Sequence, residues 1–227
     1  MAAFAFPPAA QAQLDIAGTD EKFPVRRIYC IGKNYVDHAA EMGSDVPEEP
    51  LAFLKPNTSV IGPGDPVVLP PQSAEVHYEG ELAVVIGRLC RDVPRERVAE
   101  VILGYTCAND VTARDLQRKD GQWWRAKGFD TFCPLGPYLV TGLDLDTAGD
   151  LALTTRRDGE VVQQARTSQM VFDIATLVVH VSSVMTLLPG DVILTGTPAG
   201  VGPVTAGQRV EVEIEGLGVL SNPMVRR

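Results

Sequence analysis

The stretch HYEGELAVVIGR, residues 77–88, shows the alternation of apolar and polar side chains that is typical of a β-strand. In an extended strand, residues two positions apart lie on the same face. One face carries the apolar residues Val76, Tyr78, Leu82, Val84 and Ile86. The other face carries Glu75, His77, Glu79 and Glu81 and turns apolar at Ala83 and Val85. The pattern predicts a long strand with an acidic stretch on one face.

The acidic stretch of this strand has two interpretations. Carboxylates that lie this close together repel one another unless water screens them or a cation lies between them. An oxygen-rich cluster suits a hard divalent ion such as Mg²⁺ or Mn²⁺. The alternative is a half-exposed strand whose acidic face is solvated. The strand alone leaves both interpretations open.

Length and charge bound the class of protein. A chain of 227 residues with 45% hydrophobic and 22% charged residues is typical of a soluble globular protein with one substantial core. The formal net charge of −9 argues against a nucleic-acid backbone or an anionic membrane as the main partner. An anionic substrate would therefore need a metal ion, Lys or Arg to bind it.

The cysteines and the N-terminal residues bear on compartment and boundaries. The four cysteines form no CxxC pair, which argues against zinc-ribbon and thioredoxin-like sites and favours reduced thiols in a cytoplasmic protein. The N-terminal residues lack the basic start and apolar core of a secretory signal, and no apolar run is long enough to cross a bilayer. We expect an irregular arm over residues 1–24 and a single domain over residues 25–227.

Short strands with turn residues at close intervals make up most of the chain. The Asp-Gly pair at residues 158–159, between two strands, is a hairpin signal. Helices are expected at residues 35–42, 112–117 and 172–186, and an irregular segment at residues 118–131. This pattern predicts an α+β, β-rich fold with a few short helices rather than alternating βαβ units.

Asp110 offers a third carboxylate, in the segment CANDVTARD, where a predicted strand at residues 101–108 gives way to a helix. Loops at strand ends are common positions for ligand-binding residues, because the scaffold fixes them and leaves them accessible. The alternative is that Asp110 caps the helix, a role in which Asp is frequent. Both roles can coexist across Asp110 and Thr112.

Two further segments carry groups suited to catalysis. His38 and Glu41 lie three residues apart in NYVDHAAEMG, so a helix would place both on one face, where the carboxylate could orient the imidazole to activate water. Lys127 lies in the aromatic-rich segment WWRAKGFD and could hold a carboxylate or an enolate oxygen. The alternatives are a solvated helix pair and a solvated loop lysine. His180 lies in an apolar helix and is expected to be structural.

The segment TGTPAGVGPV, residues 195–204, is a glycine-rich loop that follows an apolar strand. Its glycines allow backbone N–H groups to approach an anionic group, and Thr197 could add a hydroxyl. It is not a Walker loop, because no GK[ST] follows. A tight assembly of β-turns is the alternative.

The order of these motifs along the chain resembles the fumarylacetoacetate hydrolase superfamily. The series is IYCIGKNYVDHAAEMG, LAFLKPNTSVIGPGD, HYEGELAVVIGR, GYTCANDVTARDLQ, WRAKGFDTFCPLGP and LPGDVILTGTPAGVGPV. The likeness begins at about residue 25, and the chain length is similar to that of the short branch. That branch includes acylpyruvate, fumarylpyruvate and maleylpyruvate hydrolases, oxaloacetate decarboxylases and hydroxyheptadienedioate isomerases. The opening FPVRRIYCIGKNY is particularly similar to fumarylpyruvate hydrolases of aromatic degradation.

The resemblance implies a fold, an assembly and a cofactor. The fold is a mixed β-roll or sandwich of the kind seen in the C-terminal domain of the family, and the assembly is a homodimer. The cofactor is Mg²⁺ or Mn²⁺, and the positions that match the metal ligands are Glu79, Glu81 and Asp110.

The resemblance also implies roles for residues around the metal. His38 and Glu41 match a water-activating dyad on a lid over about residues 34–50. Lys127 matches a lysine near the metal. The positions that match substrate-binding residues are Gln117, Thr197 and Lys33, the last of which is often Arg in short-branch relatives.

These implications lead to a specific functional expectation. The partner is a small anionic 2-oxo acid, with no nucleic acid or membrane involved. The enzyme would be a metal-dependent hydrolase that cleaves a C–C bond of an acylpyruvate, such as fumarylpyruvate or maleylpyruvate, to pyruvate and a carboxylic acid in aromatic catabolism. The alternatives are a 2-oxo acid decarboxylase or isomerase and a non-catalytic metal-dependent binding protein, which the joint retention of ligands and dyad disfavours.

Overall fold

The structure is a computed structural model that describes residue 5 and residues 10–226. Within these residues the chain forms short strands and short helices. Up to residue 100 the elements are β1 (Gln13–Asp15), β2 (Lys22–Pro24), β3 (Ile28–Gly32), α1 (Val36–Glu41), β4 (Leu51–Lys55), β5 (Val60–Ile61), β6 (Val67–Leu69), β7 (Val76–Tyr78) and β8 (Gly80–Ile86), with 3₁₀ turns at Asn57–Ser59 and Arg95–Glu100.

The second half of the chain continues the same pattern, with one longer helix. Its elements are β9 (Ile102–Asn109), β10 (Thr112–Ala113), α2 (Arg114–Lys119), α3 (Trp124–Lys127), β11 (Cys133–Thr141), α4 (Leu145–Ala148), β12 (Ala152–Arg157), β13 (Glu160–Arg166), α5 (Ile174–Val184), β14 (Val192–Leu194), β15 (Gly202–Val204), β16 (Arg209–Ile214) and β17 (Gly218–Arg226), with a 3₁₀ turn at Thr167–Gln169. The prediction of a β-rich α+β fold is confirmed.

Three sheets and one hairpin organise these strands. A seven-stranded mixed sheet has the order β4-β3-β14-β8-β9-β11-β5, with parallel pairs at β3/β14 and β11/β5. A five-stranded sheet has the order β13-β12-β16-β17-β6, and a three-stranded sheet has the order β10-β7-β15. Strands β1 and β2 pair with each other as an antiparallel hairpin.

Strand β8 lies inside the large sheet, and every one of its residues is buried. Leu82 and Val84 contribute to a core shared with α5 and the five-stranded sheet. Ala83 and Val85 contribute to a second core on the opposite face, closed by the β1–β2 hairpin. The strand is buried on both sides because both of its faces are apolar here. Each large aliphatic side chain removed from water contributes about 1.5–3 kcal/mol to folding stability.

The acidic strand differs from the prediction in one respect, since it is not continuous. Strand β7 belongs to the three-stranded sheet and β8 to the seven-stranded sheet, so the chain changes sheets at Glu79. The Glu79 N–H donates to Asn109 Oδ1 at 2.9 Å rather than to a neighbouring strand. The side-chain acceptor thus takes over from the backbone ladder at the point where the strand bends.

The helices follow their predicted positions with small differences. Helix α5 begins after Asp173, whose side chain accepts from the Thr176 N–H at 2.8 Å as an N-cap. Helix α2 begins two residues later than predicted, because Thr112 pairs with His77 as part of β10. The segment predicted as irregular contains the one-turn helix α3. In the described residues, no helix is long and apolar enough to cross a membrane.

The N-terminal segment contains regular structure that the sequence did not predict. We expected residues 1–24 to be irregular, but β1 and β2 lie within them. Leu14 and Phe23 are buried in the second core, and Ile16 forms a bridge to Leu139 of β11. Short strands with a single apolar residue each give almost no periodic signal, which explains the difference. Residues 1–4 and 6–9 of the expected arm lie outside the described residues.

Candidate metal and active site

The pairing of two strands brings the three candidate carboxylates together. Glu79 and Glu81 flank Gly80 at the start of β8, and Gly80 is the register partner of Asn109 at the end of β9. Asp110 follows directly, so one ligand oxygen of each carboxylate lies within 4.8 Å of the others. The exposed fractions of Glu79, Glu81 and Asp110 are 3%, 1% and 1%. The alternative of a solvated acidic face is therefore wrong.

Buried cations surround this carboxylate cluster. Lys127 Nζ lies 2.7 Å from Glu79 Oε2 and 2.7 Å from Asp110 Oδ2. Arg114 Nη2 donates to Glu79 Oε1 at 2.6 Å, and Lys55 Nζ donates to Asp110 Oδ1 at 2.5 Å. Buried carboxylates need such partners, because an unpaired charge in the interior is costly.

Asp110 does not cap a helix, so that alternative is wrong as well. Helix α2 begins at Arg114, and its N-cap residue is Ala113, with no side-chain capping bond. Both oxygens of Asp110 accept from lysines, and its carbonyl accepts from the Thr112 hydroxyl at 2.8 Å. The Thr112 hydroxyl also lies 3.0 Å from Glu79 Oε1, so its single proton is shared between two members of the cluster.

The electrostatics of the cluster are uneven. Burial acts to raise the pKa of Glu79, but the charges of Lys127 and Arg114 outweigh it and hold that pKa below its usual range. Burial raises the pKa of Glu81 well above its usual range, and the charges of Asp110 and Glu79 raise it further. Burial lowers the pKa of Lys127, but Asp110 and Glu79 more than reverse this. Glu81 therefore has less compensating positive charge around it than Glu79 has.

The donor set at this cluster fits a hard divalent cation. Its ligand atoms are carboxylate oxygens, which are the groups that Mg²⁺ and Mn²⁺ prefer. Glu81 Oε2 accepts from the Gly196 N–H at 2.7 Å, whereas its Oε1 has no hydrogen-bond donor among residues 10–226. A cation bound between Glu79, Glu81 and Asp110 would supply the positive charge that Glu81 lacks.

Gly196 shows why the loop after β14 needs glycine. Its φ is +99°, a conformation that residues with a Cβ rarely adopt. A Cβ at this position would lie 2.7 Å from the Cβ of Asn34. The side chain of Asn34 itself is buried and donates to the Thr195 and Phe172 carbonyls at 2.8 and 3.0 Å. The loop, and with it the bond to Glu81, is fixed against the start of α1.

The His38–Glu41 pair lies on α1, and the structure places both side chains on one face. His38 Nδ1 lies 3.3 Å from Glu41 Oε2. The Gly200 N–H donates to both Glu41 oxygens, at 3.1 and 3.2 Å. His38 is only 6% exposed, so it is not part of a solvated surface pair. A carboxylate that is itself anchored can orient an imidazole for proton transfer.

A cavity of about 190 Å³ joins the dyad to the carboxylate cluster. Most of the residues that the sequence singled out line it: Lys33, His38, Glu79, Glu81, Gln117, Lys127 and Thr197. Asp110 lies behind Lys127, and Glu41 lies behind His38. His180 is half-buried on α5 and is not among the lining residues. The cavity thus has carboxylates and a lysine on one wall and an imidazole on another.

The predicted substrate-binding residues differ in how they are held. Gln117 Oε1 accepts from Arg114 Nη1 at 2.6 Å. The Thr197 hydroxyl donates to the Gly80 carbonyl at 2.9 Å. Lys33 has a φ of +58° and lies between β3 and α1. All three reach the same cavity from different elements, which is consistent with contacts to different parts of one small ligand.

Sequence reasoning missed several residues of the site. Lys55 ends the apolar strand β4 and is the buried residue of that strand, and a lysine at the end of an apolar run was a signal that could have identified it. Arg114 gave no comparable signal, because its partner Glu79 lies 35 positions away. Phe53 and Trp123 pack edge to face at 5.3 Å and line the cavity, but aromatic residues in short segments do not reveal their partners.

The chain belongs to the fumarylacetoacetate hydrolase family. The family model described as fumarylacetoacetate (FAA) hydrolase C-terminal matches residues 27–225. Solved structures similar to this one include a fumarylpyruvate hydrolase from Pseudomonas aeruginosa in complex with Mn²⁺ and pyruvate. It is 38% identical and covers 99% of this chain and 100% of that chain, with a TM-score of 0.93. The resemblance in fold and family is confirmed.

Other relatives carry different activities. A 2-hydroxyhepta-2,4-diene-1,7-dioate isomerase from Mycobacterium marinum is 50% identical and covers 92% of this chain and 82% of that chain, with a TM-score of 0.82. A mitochondrial oxaloacetate tautomerase of Xenopus laevis is 48% identical over 208 residues, which are 88% of this chain and 65% of that protein. The chain therefore belongs to a family of enzymes whose members include hydrolases, isomerases and tautomerases.

Proposed function

We propose that this protein is a divalent-metal-dependent hydrolase that cleaves the C–C bond of an acylpyruvate, such as fumarylpyruvate or maleylpyruvate. The observation that carries the proposal is the anchored His38–Glu41 pair, whose imidazole lines the same cavity as the carboxylate cluster. A hydrolase needs a base for water beside the site that binds the 2-oxo acid. The P. aeruginosa relative, a hydrolase in complex with Mn²⁺ and pyruvate, supports this choice.

The residues that would hold the metal are Glu79, Glu81 and Asp110, and Mg²⁺ or Mn²⁺ fits their oxygens. When bound, such an ion supplies a Lewis acid that stabilises negative charge on a substrate oxygen. Lys127 contacts two of these carboxylates and would help to hold the anionic end of the substrate.

The dyad would carry the proton transfers. His38 accepts a proton from a water molecule, and the resulting hydroxide adds to the C4 carbonyl of the acylpyruvate. The C3–C4 bond then breaks, and its electron pair stays on the pyruvate fragment as an enolate. The protonated His38 returns its proton to C3 of the enolate, while the other fragment leaves as a carboxylic acid. Glu41 keeps the imidazole in position throughout.

The isomerase and tautomerase relatives favour a second candidate function. At 50% and 48% identity they share more residues with this chain than the hydrolase relative does at 38%. Tautomerisation of a 2-oxo acid needs proton transfer at C3 but no water at a carbonyl. The same imidazole could perform that transfer, so the two functions differ in substrate and product rather than in the residues used. Decarboxylation of oxaloacetate through the enolate is related to both.

A substrate panel tests the proposal. Purified protein with Mn²⁺ is incubated with fumarylpyruvate, maleylpyruvate, acetylpyruvate, oxaloacetate and a hydroxyheptadienedioate, and pyruvate release is measured. We expect loss of the ultraviolet absorbance of an acylpyruvate together with stoichiometric pyruvate, and no reaction after EDTA treatment. A keto–enol change in oxaloacetate without pyruvate release would support the tautomerase instead. Binding of Mn²⁺ without turnover of any of these acids would favour the non-catalytic metal-dependent binding protein.

A further inference from the structure

Gln163 is a buried glutamine in the five-stranded sheet, outside the segments that carry the carboxylates and the dyad. It lies on β13 with 2% of its surface exposed. Its Nε2 donates to the Thr197 hydroxyl at 2.8 Å and to the Pro198 carbonyl at 2.9 Å. Its Oε1 accepts from the Gly80 N–H at 3.0 Å. Both amide protons and the amide oxygen are therefore in use inside the protein.

These bonds connect two parts of the active site. Gly80 lies between the candidate metal ligands Glu79 and Glu81, and Thr197 lies in the glycine-rich loop that lines the cavity. The Gln163 carboxamide thus joins the turn that carries Glu79 and Glu81 to the loop that lines the cavity. Breaking such a buried bond on one side leaves an unsatisfied polar group in the interior, which destabilises the local structure.

The bonds also fix the direction of the Thr197 hydroxyl. A hydroxyl has one proton, and that of Thr197 is donated to the Gly80 carbonyl at 2.9 Å. The Gln163 amide donates to the same oxygen, which keeps its proton pointing towards Gly80. The hydroxyl therefore has no proton left for an anionic ligand. The Thr197 backbone N–H, by contrast, donates to no group in residues 10–226.

The loop held by Gln163 also anchors other site residues. The Gly196 N–H donates to Glu81, and the Gly200 N–H donates to Glu41. The neighbour of Gln163 on β13, Val162, packs closely under this loop, since a Cβ on Gly200 would lie 2.1 Å from the Val162 carbonyl oxygen. The position of β13 thus affects both the candidate metal ligand Glu81 and the carboxylate of Glu41.

We propose that Gln163 is a positioning residue of the active site, which locks the loop of residues 195–200 onto the turn between Glu79 and Glu81. It acts through Thr197 and Gly80 and does not touch the ligand. The hydroxyl of Thr197 serves as part of this lock, and the loop offers the ligand the backbone N–H of Thr197. The catalytic consequence rests on the proposed function, whereas the lock itself is a property of the protein without substrate.

The test uses two variants of matched size and one control in the full chain. Gln163→Met removes all three bonds, and Gln163→Glu keeps an acceptor for the Gly80 N–H but removes both donors. Gln164→Met is the control, because Gln164 lies next to it on β13 and is exposed. Readouts are hydrogen–deuterium exchange of the amides in residues 195–200, Mn²⁺ affinity by calorimetry, and affinity of the Mn²⁺-loaded protein for oxalate as a 2-oxo acid analogue.

We expect faster exchange of the loop amides and at least about tenfold weaker oxalate binding in both Gln163 variants, since each of them loses two or more buried hydrogen bonds. Mn²⁺ affinity should change less than oxalate affinity, and Gln164→Met should match the wild type. If Gln163→Met does not fold, Gln163→Glu carries the test. Unchanged exchange and unchanged oxalate affinity in a folded Gln163 variant would overturn the proposal. Failure of the wild type to cleave acylpyruvates would overturn the proposed function only, since these readouts need no turnover.

Discussion

Two walls of the candidate active-site cavity are built in different ways. The sheet wall, where β8 begins and β9 ends, carries Glu79 and Glu81, with Asp110 behind Lys127. These carboxylates are almost fully buried and accept from cations, a hydroxyl and a backbone N–H. The wall formed by α1 carries His38, whose partner Glu41 is about one-third exposed. Glu41 is held from outside the helix by the Gly200 N–H.

This difference separates two tasks that the proposed reaction needs. A cation site gains from a fixed set of oxygens, and the centre of a paired sheet supplies fixed positions. Proton transfer needs an oriented imidazole, and a short helix with a single external anchor supplies orientation with fewer contacts. Metal binding and proton transfer should therefore respond independently to substitutions on the two walls. The predictions below test this independence.

The largest effect is expected on the sheet wall. Glu81→Gln removes the carboxylate that most needs a cation, because burial and the charges of Asp110 and Glu79 disfavour its ionised form. We expect Mn²⁺ affinity to fall by at least about 100-fold, more than the loss of an outer-shell partner would cause. Calorimetry measures the affinity, and thermal melts measure the stabilisation. With free Mn²⁺ at 100 times the dissociation constant, the folding stability of the wild type rises by about 2.7 kcal/mol, and that of the variant should rise by almost nothing.

Glu75→Gln is the matched control for that variant, because Glu75 belongs to the same acidic run but pairs with Arg118 and His77 near the surface. Its Mn²⁺ affinity should equal that of the wild type. Similar losses of Mn²⁺ affinity in both variants would show that general acidity of the strand, and not the buried cluster, attracts the ion.

A smaller effect is expected on the helix wall. His38→Asn removes the base and keeps a polar side chain of similar breadth. Because general base catalysis contributes about 10²–10⁴-fold, kcat for acylpyruvate hydrolysis should fall by that factor. Mn²⁺ affinity, measured by calorimetry, should remain at the wild-type value. His180→Asn, on α5 and not among the cavity-lining residues, should keep full activity. Loss of Mn²⁺ binding in His38→Asn would contradict the independence of the two walls.

The sheet wall could be predicted from the sequence to a large extent. Alternation along residues 77–88 gave the strand, and the family motifs named Asp110 as the third ligand. Alternation could not reveal that the chain changes sheets at Glu79, because that break depends on the Asn109 side chain, 30 positions away. Arg114 was missed for the same reason, since long-range pairing has no local periodicity, whereas Lys55 at the end of the apolar run LAFLK carried a local signal.

The helix wall was predicted less completely. Spacing placed His38 and Glu41 on one face, but it could not show that the Gly200 N–H anchors Glu41, which is 159 positions away. The Gln163 lock gave no signal, since a glutamine in a short strand is expected to be exposed. In both walls, local patterns gave the elements and their chemistry, whereas contacts between distant segments decided burial and orientation.

The smallest effect is expected from the carboxylate behind the imidazole. Glu41→Gln keeps an acceptor for the Gly200 N–H but removes the charge beside His38. Hydrogen bonds to charged groups contribute about 1.5–3 kcal/mol when buried, and Glu41 is partly exposed, so we expect about a tenfold loss of kcat. KM and Mn²⁺ affinity should not change, and Glu48→Gln, exposed beyond α1, should behave as the wild type. A loss as large as that of His38→Asn would instead assign Glu41 a direct part in the proton transfer. A change in KM with constant kcat would assign it to substrate binding.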